Sequence, residues 1–163
     1  MALATGSLAT PRSTLQYGGV PGVNVLPETF FVPVASGQTV YQGSLIVLNP
    51  SGLAEPAGSV TGTVVGRMEP GNGGVSVVTS TSSSITYATG ANGITVREGC
   101  FLWDIAAGQV VNASTVGALV YAYNDHTITL TATSNSIAGV CCGLDSATQS
   151  QAMVLTTVFT SLL

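Results

Sequence analysis

The chain has 163 residues, enough to bury a sizeable core, yet only 6% of them are charged, whereas soluble domains average about 25%. It has no lysine. Three arginines (Arg12, Arg67 and Arg97) and one histidine (His126) face seven acids, for a net charge of −4. That balance excludes a phosphate-neutralising nucleic-acid surface, a basic membrane-surface helix and a Walker phosphate loop, whose lysine is missing.

Residues 1–29 read as an extended arm. Pro11, Pro21 and Pro27 break any helix, and Gly18-Gly19-Val20-Pro21-Gly22 carries turn residues without a periodic apolar face. Leu15, Tyr17, Val20, Val23, Val25 and Leu26 are too apolar for a purely solvated tail, and they are the candidate partner contacts. Met1–Leu15 lacks a positive stretch followed by an apolar one, and no run reaches the roughly 18 apolar residues of a membrane helix, so neither a secretion signal nor a membrane span is expected.

From residue 30 onward strand signals dominate. Apolar and polar residues alternate at Val75–Val77, Ile85–Tyr87, Ile94–Val96 and Ile128–Ala132, the period of a half-buried strand. The unbroken apolar runs Leu45–Leu48 and Leu119–Ala122 predict strands buried on both faces. Turn clusters such as Asn49-Pro50-Ser51-Gly52 and Tyr123-Asn124-Asp125-His126 separate them. Helix is expected to be scarce, with one short turn around Ser146–Ala152. Cys100, Cys141 and Cys142 are odd in number and form no C-x-x-C, so they read as small apolar fillers in a reducing cytoplasm rather than a disulfide framework or zinc site.

The chain repeats itself. Phe30–Val40 (FFVPVASGQTV) recurs as Phe101–Val111 (FLWDIAAGQVV). Gly43-Ser44-Leu45-Ile46-Val47 recurs as Gly117-Ala118-Leu119-Val120-Tyr121, and Val64-Val65-Gly66 as Ile137-Ala138-Gly139. The repeat therefore spans about 30–66 and 101–139 within a single β domain, 30–163. Two copies of one β unit would close around a shared core with pseudo-twofold symmetry. The expected fold is all-β, a compact β-barrel or sandwich built from the duplicated unit, with the arm extending from it.

Little in the sequence suggests catalysis. No H-E-x-x-H or G-x-S-x-G motif occurs, and a single histidine cannot build a multi-histidine metal site. Asp125-His126 could orient Cys100 as a nucleophile, but its setting is that of a hairpin turn. Glu69–Gly74 is glycine-rich yet leads into a strand and not a helix N-terminus. Phe30, Phe31, Phe101, Trp103 and Tyr121 fall inside the repeated blocks and are expected in the core. No catalytic, cofactor-binding or metal-binding residue is assigned, and no cofactor is expected.

The blocks Gly43–Gly52 (GSLIVLNPSG), Val64-Val65-Gly66, Gly117–Tyr121, Ile137–Val140 and the apolar end Met153–Phe159 resemble small bacteriophage capsid cement, or decoration, proteins. The resemblance covers about residues 30–160. The second-half turn Asn124–Thr127 departs from it by lacking a glycine. It implies a β-barrel or β-tulip fold and binding to the major capsid protein on the outer surface of a phage head after synthesis in the host cytoplasm. It also implies homo-oligomers, with trimers favoured. Such a protein is not an enzyme and needs no nucleic acid, membrane or small-molecule substrate. The rival expectations are a head-fibre or tail-associated receptor-binding module and a small cysteine hydrolase.

Overall fold

The computed structural model describes residues 29–70, 77–80, 93–132, 135–145 and 150–156. The arm residues Leu15, Tyr17, Val20, Val23, Val25 and Leu26 lie outside them, as does the expected strand at Ile85–Tyr87.

The fold is all-β and built from two units that follow one another in the chain. The first comprises β1 (Thr29–Pro33), β2 (Thr39–Tyr41), β3 (Leu45–Leu48), β4 (Ala54–Pro56), β5 (Thr63–Glu69), β6 (Val77–Thr79) and β7 (Gly93–Arg97). The second comprises β8 (Gly99–Ile105), β9 (Leu119–Ala122), β10 (Thr127–Thr129), β11 (Ile137–Leu144) and β12 (Gln151–Thr156). Strand order in the first sheet is β1-β7-β5-β3-β4, and in the second β8-β12-β11-β9-β10. The two orders are the same once β1 is matched to β8, β7 to β12, β5 to β11, β3 to β9 and β4 to β10. The second sheet closes into a barrel through parallel pairing of β10 with β8, at Thr127–Asp104 and Ile128–Ile105. The first sheet makes the equivalent closure with one parallel bridge, Val34 to Ala54.

The correspondence reaches individual hydrogen bonds. Ala35 N donates to Ala54 O as Ala106 N does to Ile128 O, and Gly43 N donates to Met68 O as Gly117 N does to Cys141 O. The repeat is also longer than its most legible blocks. It runs on through β7 and β12, where the sequences Gly93–Arg97 and Gln151–Leu155 share only an alternation of buried and open positions. What differs is the connection between them. Residues 145–150 suffice in the second unit, whereas residues 70–92 form an insertion in the first, from which β6 pairs with β2. In the second unit β2 is replaced by a 3₁₀ turn, Ala113–Thr115, capped by Asn112, whose Oδ1 accepts from Ser114 N at 2.9 Å. It is the helical turn of the described residues. Of the turn expected around Ser146–Ala152, residues 146–149 lie outside the described residues, and Gln151 and Ala152 belong to β12.

The buried apolar residues gather in two clusters and not in the one core expected: one lies within the first unit, and the other, in the second unit, also takes in Leu45, Val47, Ala57 and Val64 of the first. Val32, Val34, Val40, Ile46, Val65 and Val96 pack together in the first unit. Their counterparts Trp103, Ile105, Val111, Val120, Ala138 and Val154 pack in the second. Trp103 fills the larger space, edge-on to Phe101 with ring centroids 6.1 Å apart. The physical reason is closure: five short strands rolled into a barrel point every second side chain inward, so a unit satisfies its own apolar face.

Two glycines make the rolling possible. In each unit the central strand carries a bulge, marked by a register shift at Ile46/Val47 in the first unit and at Ile137/Gly139 in the second. Gly66 and Gly139 sit there with φ of 141° and 152°. A Cβ on Gly66 would stand 2.3 Å from Arg97 O, and one on Gly139 would stand 2.1 Å from Leu155 O. These are the glycines that end the two sequence blocks Val64-Val65-Gly66 and Ile137-Ala138-Gly139.

Several aromatic expectations need correction. Phe101 and Trp103 are buried, but Phe31 is 39% exposed. Its ring lies across Gly93 of the neighbouring strand, where any side chain would collide with it, an aromatic covering a glycine in a sheet. β9 is not buried on both faces either: Val120 and Ala122 are buried while Leu119 and Tyr121 stay half-exposed. Its counterpart β3 is buried at Leu45, Ile46 and Val47 because its outer side packs on the second unit.

Candidate partner-binding surface

The joint between the units determines which faces remain open. The outer side of β3 and β5, with Leu45, Val47 and Val64, joins the second unit's core cluster. Arg67, buried within β5, lays its guanidinium 4.4 Å from the centroid of the Phe101 ring. It also binds Glu69 through Nε, at 2.8 Å, and through Nη2, while Arg97 Nε lies 4.0 Å from the same Glu69 oxygen. Burial pulls the Arg67 pKa below its ordinary value, against the opposing influence of Glu69. At the far end of the joint, Gly62 N donates to Ser136 Oγ at 2.9 Å.

Asp125 and His126 belong to this joint. The bend Tyr123–His126 links β9 to β10, as the sequence predicts for a hairpin turn, and Asn124 Oδ1 accepts from His126 N at 3.0 Å. Tyr123 is exposed, but the rest of the turn is buried, with Asp125 1% and His126 4% exposed. Asp125 Oδ1 is 3.0 Å from His126 Nδ1, its Oδ2 accepts from Ser44 Oγ at 3.1 Å, and its carbonyl accepts from Leu45 N at 2.7 Å. A buried acid here is explained by what it ties together: one carboxylate satisfies polar groups on both units. Ser44 donates to the carboxylate, whereas the serine of a Ser-His-Asp relay donates to the imidazole.

Cys100 is not brought to His126. It is the second residue of β8, whereas His126 O accepts from Asp104 N at 3.1 Å, four residues along the same strand, which is about 13 Å away. Cys100 lies instead beside Cys142 and Cys141. Partial burial, and then these two thiols, push its pKa up to about 12, so it stays a thiol at neutral pH and is a poor nucleophile. Only Cys141 is the buried filler that the sequence suggested. A second β11 bulge between Cys141 and Gly143 sets Cys142 outside, exposed. The expected consequence is selective alkylation: at pH 8 iodoacetamide labels Cys142 first, and Cys100 reacts only as the pH approaches 12. Because the native state raises this pKa from about 9.0, the stability it contributes is complete below pH 9 and fades between pH 9 and 12. Peptide mapping that found Cys100 labelled as fast as Cys142 at pH 8 would contradict this.

Sequence reasoning missed the most conspicuous surface. Across four strands of the second barrel one register row reads Cys100, Leu155, Val140, Leu119. Their neighbours Phe101, Val154 and Cys141 point inward, so this row points out. Leu155 is 39% exposed and the other three are half-buried. The matching row of the first unit reads Thr29, Arg97, Arg67, Leu45. Aligning β12 with β7 would have revealed the contrast, but those two strands share too little sequence to be matched by eye.

A concavity of about 250 Å³ opens between the units. Gly58, Ser59, Thr61, Tyr123, Asn135 and Ser136 are among its lining residues, none of which is charged. Among the described residues no three His, Cys, Asp or Glu side chains gather as metal ligands would, and no helix is long and apolar enough to cross a membrane. Comparison with protein-family models, curated proteins and solved structures gives no match.

Proposed function

We propose that the chain is a structural cement protein of a bacteriophage head, made in the host cytoplasm, which binds the major capsid protein on the outer surface of the shell, bridges capsomers and opposes their separation. The observation that carries this reading is a duplicated β unit almost bare of ionic groups that leaves an apolar row, Cys100–Leu155–Val140–Leu119, open on the face of its closed barrel. Such a face gains by being covered. Contacts of this kind depend weakly on salt, which suits a protein whose task is adhesion. Ser44, Asp125 and His126 are engaged in holding the two units together, and Cys100 is held as a thiol, so these four side chains serve structure in this reading.

In this reading the arm, residues 1–29, supplies a further contact through Leu15, Tyr17, Val20, Val23, Val25 and Leu26. An extended segment can add a strand to a partner's sheet edge and satisfy backbone groups on both sides without charge. Several copies acting together, as in a trimer, would multiply weak contacts. Deleting residues 1–25 is expected to leave a folded β domain by circular dichroism. The truncated chain should no longer co-sediment with empty heads of the phage that encodes it, whereas the full chain does. Equal co-sedimentation of the two chains would remove the arm from the reading, and failure of the full chain to bind any head would remove the reading itself.

A further inference from the structure

The two units form a series with one joint made and two ends left open. In the joint, the outer row of the first unit (Arg67 and Leu45, with Val47 and Val64 beside it) is covered by the second unit, where it meets the Phe101 ring. By the strand correspondence, the second unit carries the same outer face, now as Val140 and Leu119 with Tyr121 and Ile137 beside them, and all four are half-exposed. The surface that receives the joint is likewise duplicated. The first unit's counterpart of Phe101 is Phe30, half-exposed at the open end of β1. The counterpart of Asp125 is Ser51, exposed in the turn between β3 and β4. The donor face is thus open at one end of the chain's fold and the receiving face at the other.

We infer that a second copy of this chain occupies the open row, seating its Phe30 end on Val140, Leu155 and Leu119 and so repeating between chains the joint that already exists within one. The change of residues supports this occupant. Within the chain the row carries Arg67 and Arg97, which are partnered by the local carboxylate Glu69 and by Phe101. At the equivalent positions the open row carries Val140 and Leu155, which suit an apolar partner face and need no counter-charge. The two faces differ from one another, so the contact is head-to-tail, and successive copies form a ring if the rotation closes and a filament if it does not. This deepens the self-association within the cement reading and rests on that reading only in taking assembly to be the chain's work.

Sedimentation of the purified full chain, without any shell, tests it. The wild type is expected to self-associate by about 100 µM. The double variant Val140→Arg/Leu155→Arg should sediment as a single chain with unchanged β circular dichroism. Arginine is already borne on the matching strands of the first unit, so these strands tolerate it. A receiving-end variant, Phe30→Asp, should also sediment as a single chain, with Ser51→Arg in its place if Phe30→Asp unfolds. Mixed in equal amounts, the two kinds of variant should restore one joint and stop at two chains. A wild type that remains a single chain, a double variant that associates like the wild type, or a mixture that stays single would each overturn the proposal. None of these outcomes bears on whether the chain binds heads, which is read separately by co-sedimentation with particles.

Discussion

A chain carrying Gly139→Ala is expected to lose a large part of its folding stability. At this position φ is +152°, and the new methyl group would stand 2.1 Å from Leu155 O, a backbone atom of the strand it must pair with. The left-handed backbone alone costs an L-residue about 1–2 kcal/mol. The collision adds more, because relief requires β11 and β12 to separate where they hold the closed barrel together. A total above about 4 kcal/mol is the expected result, against a stability of about 5–15 kcal/mol for an ordinary domain. Gly66→Ala should act similarly, since its methyl would meet Arg97 O at 2.3 Å. Gly108→Ala is the control: its φ is +77° but nothing lies within 4 Å, so only the conformational cost of about 1 kcal/mol applies. Urea midpoints of the three variants give the comparison, and a Gly139→Ala chain as stable as Gly108→Ala would show that the bulge does not govern barrel closure.

The second large effect is expected at Asp125. Asp125→Ala leaves Ser44 Oγ and His126 Nδ1 buried without the acceptor they now share. Each stranded group costs about 1–3 kcal/mol, and loss of about 3–5 kcal/mol is expected in total. Asp125→Asn keeps an oxygen for Ser44 and should lose less than half as much. Ser44→Ala removes one bond from a carboxylate that retains His126 and should cost about 1 kcal/mol. If Asp125→Ala proved no more damaging than Ser44→Ala, the carboxylate would not be what ties the two barrels together.

Much of this architecture could be read from the sequence because duplication writes itself twice. The glycines at 43 and 117 have φ of 88° and 84°, and those at 66 and 139 also match. At such points backbone geometry permits little else, so the residues persisted and the blocks stand out. The correspondence between β7 and β12, each legible as a strand, escaped notice for the opposite reason. Their side chains need only alternate between inside and outside, a requirement that many sequences meet. The buried Asp125-His126 turn was legible as a turn from its residue types but not as part of the joint, because its partner Ser44 is 81 residues away and serine gives no sign of a distant contact. The division of the core into two clusters was not foreseen because apolar periodicity shows which side of a strand is covered and never says by what.

Every strand pairing in the described structure stays within 29–97 or within 99–156; none is exchanged between the units. As the ribosome releases the chain from its N-terminus, the strands of the first barrel have all emerged before the last strand of the second is made. The first barrel can therefore close by itself and present its outer row as a template on which the second assembles during translation.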